Sequence, residues 1–285
     1  MDFKNYLVPG KTGLLIGIGG VSMSPLAEVL HDAGLDIRGS DMAESSNTLT
    51  LRERGIPIHI GHSADNVTDD ISFVIRTAAV HDDNPEVHEA HRRGIPVFER
   101  TQAWGALMRG YQNALCISGT HGKTTTTSMC THIMMAAEKD PTVMIGGTLP
   151  LLKACHRVGK GNTIIMESCE YYNSFLALNP TIAVVLNIEA DHLDFFKDLE
   201  DIKHSFRCFA ERVPAETGTV IANYDDANTM DALRGIARKV ITFGLNAKAD
   251  VYAQNIVHRG SVSEFDIYHR GNYFARVTLL SLIHI

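Results

Sequence analysis

The chain has 285 residues, 45% of them hydrophobic and 21% charged, which is material for about two globular cores at the ~100–200 residues typical of a domain. A net charge of −7 excludes wholesale nucleic-acid binding, which needs a basic surface to neutralise phosphates. Five scattered cysteines without a CxxC pair, an N-terminus without an apolar signal core, and no apolar run near the ~18 residues of a membrane span read as a reduced, cytoplasmic protein with no membrane segment.

Through the first hundred residues, short apolar runs alternate with amphipathic stretches. Strands are predicted at Leu14 to Ile18, Asp36 to Arg38, Ile56 to Ile60, Phe73 to Ile75 and Pro96 to Phe98. Helices are predicted at Met23 to Ala33 and Thr101 to Met108. This βαβ rhythm calls for a parallel sheet with helices on its faces, in a Rossmann-like domain over residues 1–109. A second α/β series starts near Ala114, with strands at Ala114 to Ile117, Thr163 to Met166 and Ile182 to Leu186 and helices at Lys123 to Ala137 and Leu199 to Phe209. Near the end, Phe265 to Ile267 and Phe274 to Val277 flank Arg270-Gly271-Asn272 as an antiparallel hairpin, so residues 110–285 read as a P-loop ATPase-type domain with a hairpin region.

Four loops follow predicted strands and carry polar chemistry. The first is Gly17-Ile18-Gly19-Gly20-Val21-Ser22-Met23-Ser24, whose small residues let backbone approach a pyrophosphate at a helix N-terminus. Asp41 ends the next strand, where dinucleotide folds place a ribose-binding acid. Ser22 stands at the third glycine position of GxGxxG, so a nucleotide-diphosphate site, a structural glycine turn and a dinucleotide site all remain open.

The second loop is sharper. Gly119-Thr120-His121-Gly122-Lys123-Thr124-Thr125 links a strand to a helix, aims Lys123 at β/γ-phosphates and offers the Thr124 hydroxyl to Mg²⁺. Its glycines are closer together than in GxxxxGK[ST], and a chance Gly-Lys-Thr at a helix start is the plainer reading. The third, Met166 to Glu170, places Glu167 as a hard oxygen ligand for Mg²⁺, although in isolation such a glutamate is more often a solvated loop acid. The fourth, Asn187 to Asp194, sets His192 among acids, although imidazole suits softer metals better than Mg²⁺.

Taken in order, these four segments resemble the Mur ligase family, and the resemblance spans nearly the whole chain. Within the family, His121 and the run from Gly17 to Ser24 are most similar to the member that adds L-alanine. The resemblance implies that Gly17, Gly19, Gly20, Ser22, Met23 and Ser24 face the diphosphate of UDP-N-acetylmuramate, with Asp41 near the uridine and Thr77 as a further substrate contact. It implies that Gly119 to Thr125 bind ATP, that Thr124 and Glu167 hold Mg²⁺, and that His192 serves a second metal position. Lys123, Glu167 and His192 would then be catalytic. The implied reaction is ATP-dependent: a carboxylate is phosphorylated to an acyl phosphate, which the amine of L-alanine converts to an amide.

Family members continue into a third, amino-acid-binding domain and carry a Gly-x-His-Asn segment after the hairpin. Here the chain reads Val277 to Ile285 and stops, so a fragment with little or no turnover is expected, its last residues foreign to the family pattern. The competing readings are a family member that recycles a preformed muramyl peptide, a non-catalytic UDP-sugar-binding module, and an NAD-dependent oxidoreductase. The last leaves the Gly119 to Thr125 loop without a purpose.

Overall fold

The computed structural model describes residues 2–77 and 79–280; Ala78 of the Thr77 segment and the atypical 281–285 lie outside the described residues. The chain forms two compact units, Met1–Gly110 and Tyr111–Ile285.

In the first unit, β1 (Thr12–Ile16), α1 (Ser24–Asp32), β2 (Asp36–Asp41), α2 (Ser46–Glu53), β3 (Ile58–Ile60), β4 (Ile71–Arg76), α3 (Pro85–Arg92), β5 (Val97–Glu99) and α4 (Arg100–Met108) follow one another. The sheet is parallel throughout, in the order β3-β2-β1-β4-β5. β1 is central and fully buried, as an unbroken apolar run in a doubly covered sheet requires. Each of Leu14, Leu15 and Ile16 contributes about 1.5–3 kcal/mol by that burial.

The first strand ends two residues earlier than the apolar run predicts. Gly17 takes φ +78°, and the amides of Gly17 and Ile18 both donate to the Ser40 carbonyl, which turns the chain off the sheet. Ile18 stays buried by packing over Gly39. The polar helix α2 has no strong apolar stripe to betray it. It is fixed instead by a capping box in which Ser45 and Thr48 satisfy each other's amides.

The second unit contains β6 (Asn113–Ser118), α5 (Lys123–Ala136), β7 (Thr142–Leu149), β8 (Ala154–Arg157), β9 (Thr163–Glu167), β10 (Ile182–Val185), α6 (Leu199–Ala210), β11 (Thr219–Asn223), α7 (Ala227–Ala232), β12 (Lys239–Gly244), β13 (Val251–Arg259), β14 (Val262–His269) and β15 (Asn272–Leu280). They build a ten-stranded sheet, ordered β15-β14-β13-β12-β11-β10-β6-β9-β7-β8. Its middle, from β13 to β7, is parallel; β8 adds antiparallel at one edge, and β14 and β15 form the hairpin extension at the other.

The core beneath α5 gathers Leu115, Ile117, Val143, Ile145, Ile165 and Val184 from four adjacent strands. Because β9, β6 and β10 are neighbours, the loops that leave their carboxyl ends converge on one place. Among the described residues, no helix is long and apolar enough to cross a membrane.

Candidate functional site

The second unit brings three of the four singled-out loops together. β6 runs into a turn whose two glycines both have positive φ, Gly119 at +144° and Gly122 at +82°. A Cβ at Gly119 would lie 2.9 Å from the Leu186 Cβ, so a side chain cannot enter there. Gly122 caps α5, and the first helical bond runs from the Thr126 amide to the Gly122 carbonyl at 3.0 Å. The amides of Lys123, Thr124 and Thr125 precede that bond and point out of the helix N-terminus, the place where anions bind.

The amides of Thr120 and His121 depart from the simple phosphate cradle that the spacing predicts. Thr120 N–H donates to the Asn187 carbonyl at 3.0 Å, and His121 N–H donates to the Asn187 side-chain oxygen at 2.8 Å. The Asn187 amide nitrogen returns a bond to the His121 carbonyl at 3.0 Å, and the Thr120 hydroxyl accepts from the Glu189 amide. Both residues therefore brace the loop against the segment after β10. The His121 side chain is exposed and lies 3.6 Å from Glu189.

Lys123 folds across the mouth of its own loop. Its Nζ donates to the Gly119 carbonyl at 2.6 Å and the Thr120 carbonyl at 3.2 Å, and pairs with Glu170 at 3.0 Å. The Thr124 hydroxyl donates to Glu167 Oε1 at 3.0 Å, while Glu167 Oε2 accepts from the Gly146 amide at 2.7 Å. A Cβ at Gly146 would lie 2.4 Å from that carboxylate and would push it from this position. A hydroxyl and an oriented carboxylate at hydrogen-bond separation are hard oxygen donors that fit Mg²⁺.

His192 stands one step away, with φ +52° and its ring stacked on Tyr171 at 4.3 Å between centroids. Its Nε2 is 4.0 Å from Glu170 and 3.9 Å from Asp191, and one ligand atom from each of these three residues fits within 4.8 Å of the others. Glu170 thus links Lys123 to His192. Glu170, Asn187 and Gly146 were missed as functional residues in the sequence. Glu170 and Asn187 lie inside the Met166 to Glu170 and Asn187 to Asp194 loops, but only strand adjacency reveals what they touch.

The first unit holds an open cleft of about 680 Å³ at the carboxyl ends of its strands. Gly17, Gly19, Gly20, Asp41 and Thr77 line it, joined by His62, His81, Asp83 and Asn84. Asp41 Oδ2 accepts from the Gly19 amide at 2.8 Å, and Asn47 donates to the Gly19 carbonyl at 2.8 Å, so the glycine turn is tied to β2 and α2. Ser22, Met23 and Ser24 do not line the cleft. Met23 and Ser24 are each 1% exposed, and their amides bond to the Gly20 carbonyl as the first turn forms. The Ser22 hydroxyl bonds Arg100, and its carbonyl accepts from the Trp104 indole.

A sheet parallel through its middle, a strand–glycine turn–helix whose helix begins at Lys123-Thr124, and carboxylates at the neighbouring strand ends define an α/β protein with a P-loop-like turn. The family model described as "Mur ligase middle domain" matches residues 117–282, and that described as "Mur ligase family, catalytic domain" matches residues 15–112. The chain belongs to the Mur ligase family.

Among its relatives, the UDP-N-acetylmuramate–L-alanine ligase of Agathobacter rectalis is 47% identical over 243 residues, 85% of this chain and 53% of that protein. The enzyme of the same name from Caldicellulosiruptor saccharolyticus is 45% identical over 90% of this chain and 56% of its own length. The crystal structure of UDP-N-acetylmuramate-alanine ligase from Thermotoga maritima superposes with a TM-score of 0.76 at 28% identity, covering 94% of this chain and 60% of that one. The chain spans about half the length of the curated relatives it matches.

Proposed function

We propose that this chain handles the sugar nucleotide and the ATP in a ligase that joins L-alanine to UDP-N-acetylmuramate for peptidoglycan synthesis. The observation that carries the reading is the set formed by Lys123, Thr124 and Glu167 at one helix N-terminus, within 3.0 Å contacts of their partners. Its specificity for L-alanine rests on likeness to relatives at 45–47% identity that carry that name.

In this reading residues 1–110 bind UDP-N-acetylmuramate, with Gly17, Gly19, Gly20, Asp41 and Thr77 around it. Residues 111–285 bind ATP. A carboxylate is a poor acylating agent. Its oxygen attacks the γ-phosphorus, ADP leaves, and the resulting acyl phosphate is attacked by the amine of L-alanine, which forms the amide, loses a proton and releases phosphate.

The chain contributes position and charge rather than covalent chemistry. The free amides of Lys123, Thr124 and Thr125 hold the triphosphate tail. Lys123 swings from its own carbonyls to the β/γ-phosphates, and charge neutralisation there lowers the barrier to transfer. Mg²⁺, held by Thr124 and Glu167, with His192 beside a second position, would supply further positive charge to the phosphates.

The test is binding of an unhydrolysable ATP analogue and of UDP-N-acetylmuramate to the 285-residue chain, with hydroxylamine added to trap acyl phosphate when ATP is used. Binding of both ligands, with the ATP analogue requiring Lys123, is the expected result. A chain that binds neither ligand overturns the proposal.

A further inference from the structure

Three non-glycine residues with left-handed backbone lie in the loops on either side of the Gly119 to Thr125 turn. Tyr172 (φ +53°) and Asn173 (φ +55°) follow β9, and His192 (φ +52°) follows β10. Such a conformation strains a residue that carries a side chain, and it persists where surrounding contacts over-determine it.

Tyr171 supplies those contacts between the two loops. Its ring stacks on the His192 imidazole at 4.3 Å between centroids and 25° between planes, and its hydroxyl donates to Asp194 Oδ2 at 2.5 Å. The Asp194 carboxylate pushes the Tyr171 hydroxyl well above its ordinary value, and the hydroxyl in turn draws that carboxyl down, so the proton stays on the phenol. Tyr171 is itself wedged, with Tyr172 at 4.4 Å and Phe195 perpendicular to it at 6.2 Å. Asn173 is tied to α6, where its side-chain oxygen accepts from the Ser205 hydroxyl.

The two loops leave strands that are not paired with each other. β6 lies between β9 and β10, so their ends stand about two spacings of ~4.8 Å apart. The Tyr171 contacts therefore close a bridge across the strand that leads into the Gly119 turn.

His192 has little else to aim it. An imidazole that holds a metal is usually oriented by a hydrogen bond from its other ring nitrogen to a carboxylate or carbonyl. Among the described residues, neither ring nitrogen of His192 makes a hydrogen bond. The Glu170 and Asp191 carboxylates stand 4.0 and 3.9 Å from Nε2, beyond that range. The ring is held by its face, and Tyr171 covers that face.

We infer that Tyr171 is a positioning residue for His192: stacked on the imidazole and tied to Asp194, it holds Nε2 toward Glu170 and Asp191, where a second divalent cation would sit. A contact on the ring face restrains its tilt and leaves both nitrogens unoccupied. The inference rests on the metal reading of His192.

The experiment compares the unaltered 285-residue chain with Tyr171→Phe, Tyr171→Leu and His192→Ala. Tyr171→Phe keeps a ring over the imidazole and loses the bond to Asp194, whereas Tyr171→Leu loses both. In carbon–proton spectra of the metal-free chain, the His192 ring signals are those that His192→Ala removes. They should be shielded by the Tyr171 ring in the unaltered chain, less so in Tyr171→Phe, and close to a free imidazole in Tyr171→Leu. With ADP present, the unaltered chain should take two Mn²⁺, one of which His192→Ala removes. Tyr171→Leu should weaken that one by about tenfold or more, the order seen when a ligand loses its support, and leave the Mn²⁺ at Thr124 and Glu167 unchanged. Loss of the first with retention of the second separates misplacement of His192 from unfolding. His192 signals that stay in place in Tyr171→Leu, or a second Mn²⁺ held as tightly once the stack is gone, overturn the inference. If His192→Ala removes no Mn²⁺, the metal reading of His192 is overturned, and the inference with it.

Discussion

Lys123 Nζ lies 3.0 Å from Glu170 Oε2, and both side chains are largely shielded, 14% and 3% exposed. The ammonium thus has a carboxylate partner of its own, and removing it should affect two things at once. Lys123→Ala should abolish binding of the ATP analogue in calorimetry while leaving UDP affinity unchanged. It should also lower unfolding stability by roughly 3 kcal/mol, because Glu170 is left as a buried charge without its cation. ATP affinity that survives the substitution would show that the loop is not the triphosphate site.

The Thr124–Glu167 pair should govern divalent metal. Thr124→Val and Glu167→Gln are each expected to weaken Mn²⁺ binding in the presence of ADP by about tenfold or more, read by electron paramagnetic resonance. Glu167→Gln has a further consequence, since Gly146 then donates to a neutral oxygen or to none. Equal Mn²⁺ affinity in all three proteins would remove the pair from the metal site.

Gly119 is the least replaceable residue of the loop. With φ +144° and Leu186 at 2.9 Å from any added Cβ, Gly119→Ala should cost about 1–3 kcal/mol of stability and displace the loop from β10. Urea unfolding measures the first effect and loss of ATP-analogue binding the second. A variant that matches the unaltered chain in both would mean that the turn relaxes freely.

Acid should weaken the first unit through Glu89, whose carboxyl is drawn down to about 2 from 4.5 by hydrogen bonds from Arg92 and Arg93. A lowered folded-state value stabilises the protein above the unfolded-state value, and the benefit disappears as pH falls from about 4.5 toward 2. The gap in denaturant midpoint between the chain and Glu89→Gln should therefore be wide at pH 5 and clearly narrower at pH 3. A gap that is constant with pH would remove Glu89 from the acid response.

Much of the architecture could be read from periodicity. The apolar run before Gly17 and the long helix after Gly122 stand close to their predicted places, because each is fully committed to a sheet or its cover. The hairpin around Gly271 is likewise where its turn residues put it. Strands β7, β8 and β11 to β13 do not show in the periodicity: their burial is uneven, and the second half of β13 is exposed.

At the sites, the Gly119 to Thr125 loop is legible as a local pattern, whereas the contacts of Glu170 and Asn187 depend on which strands become neighbours. Ser22, Met23 and Ser24 show the reverse limit. The family resemblance implies that they face a diphosphate, whereas the first turn of α1 draws Met23 and Ser24 inward.

Asn187 reaches His121 through both ends of its amide, and that double attachment bears on how a nucleotide is received. Ordering a flexible segment upon binding removes about 1–2 kcal/mol of affinity for every residue frozen. Here the turn is already set by its neighbour across the sheet, so under the proposed function a phosphate tail would meet a ready mould and forfeit little of its binding energy in shaping it.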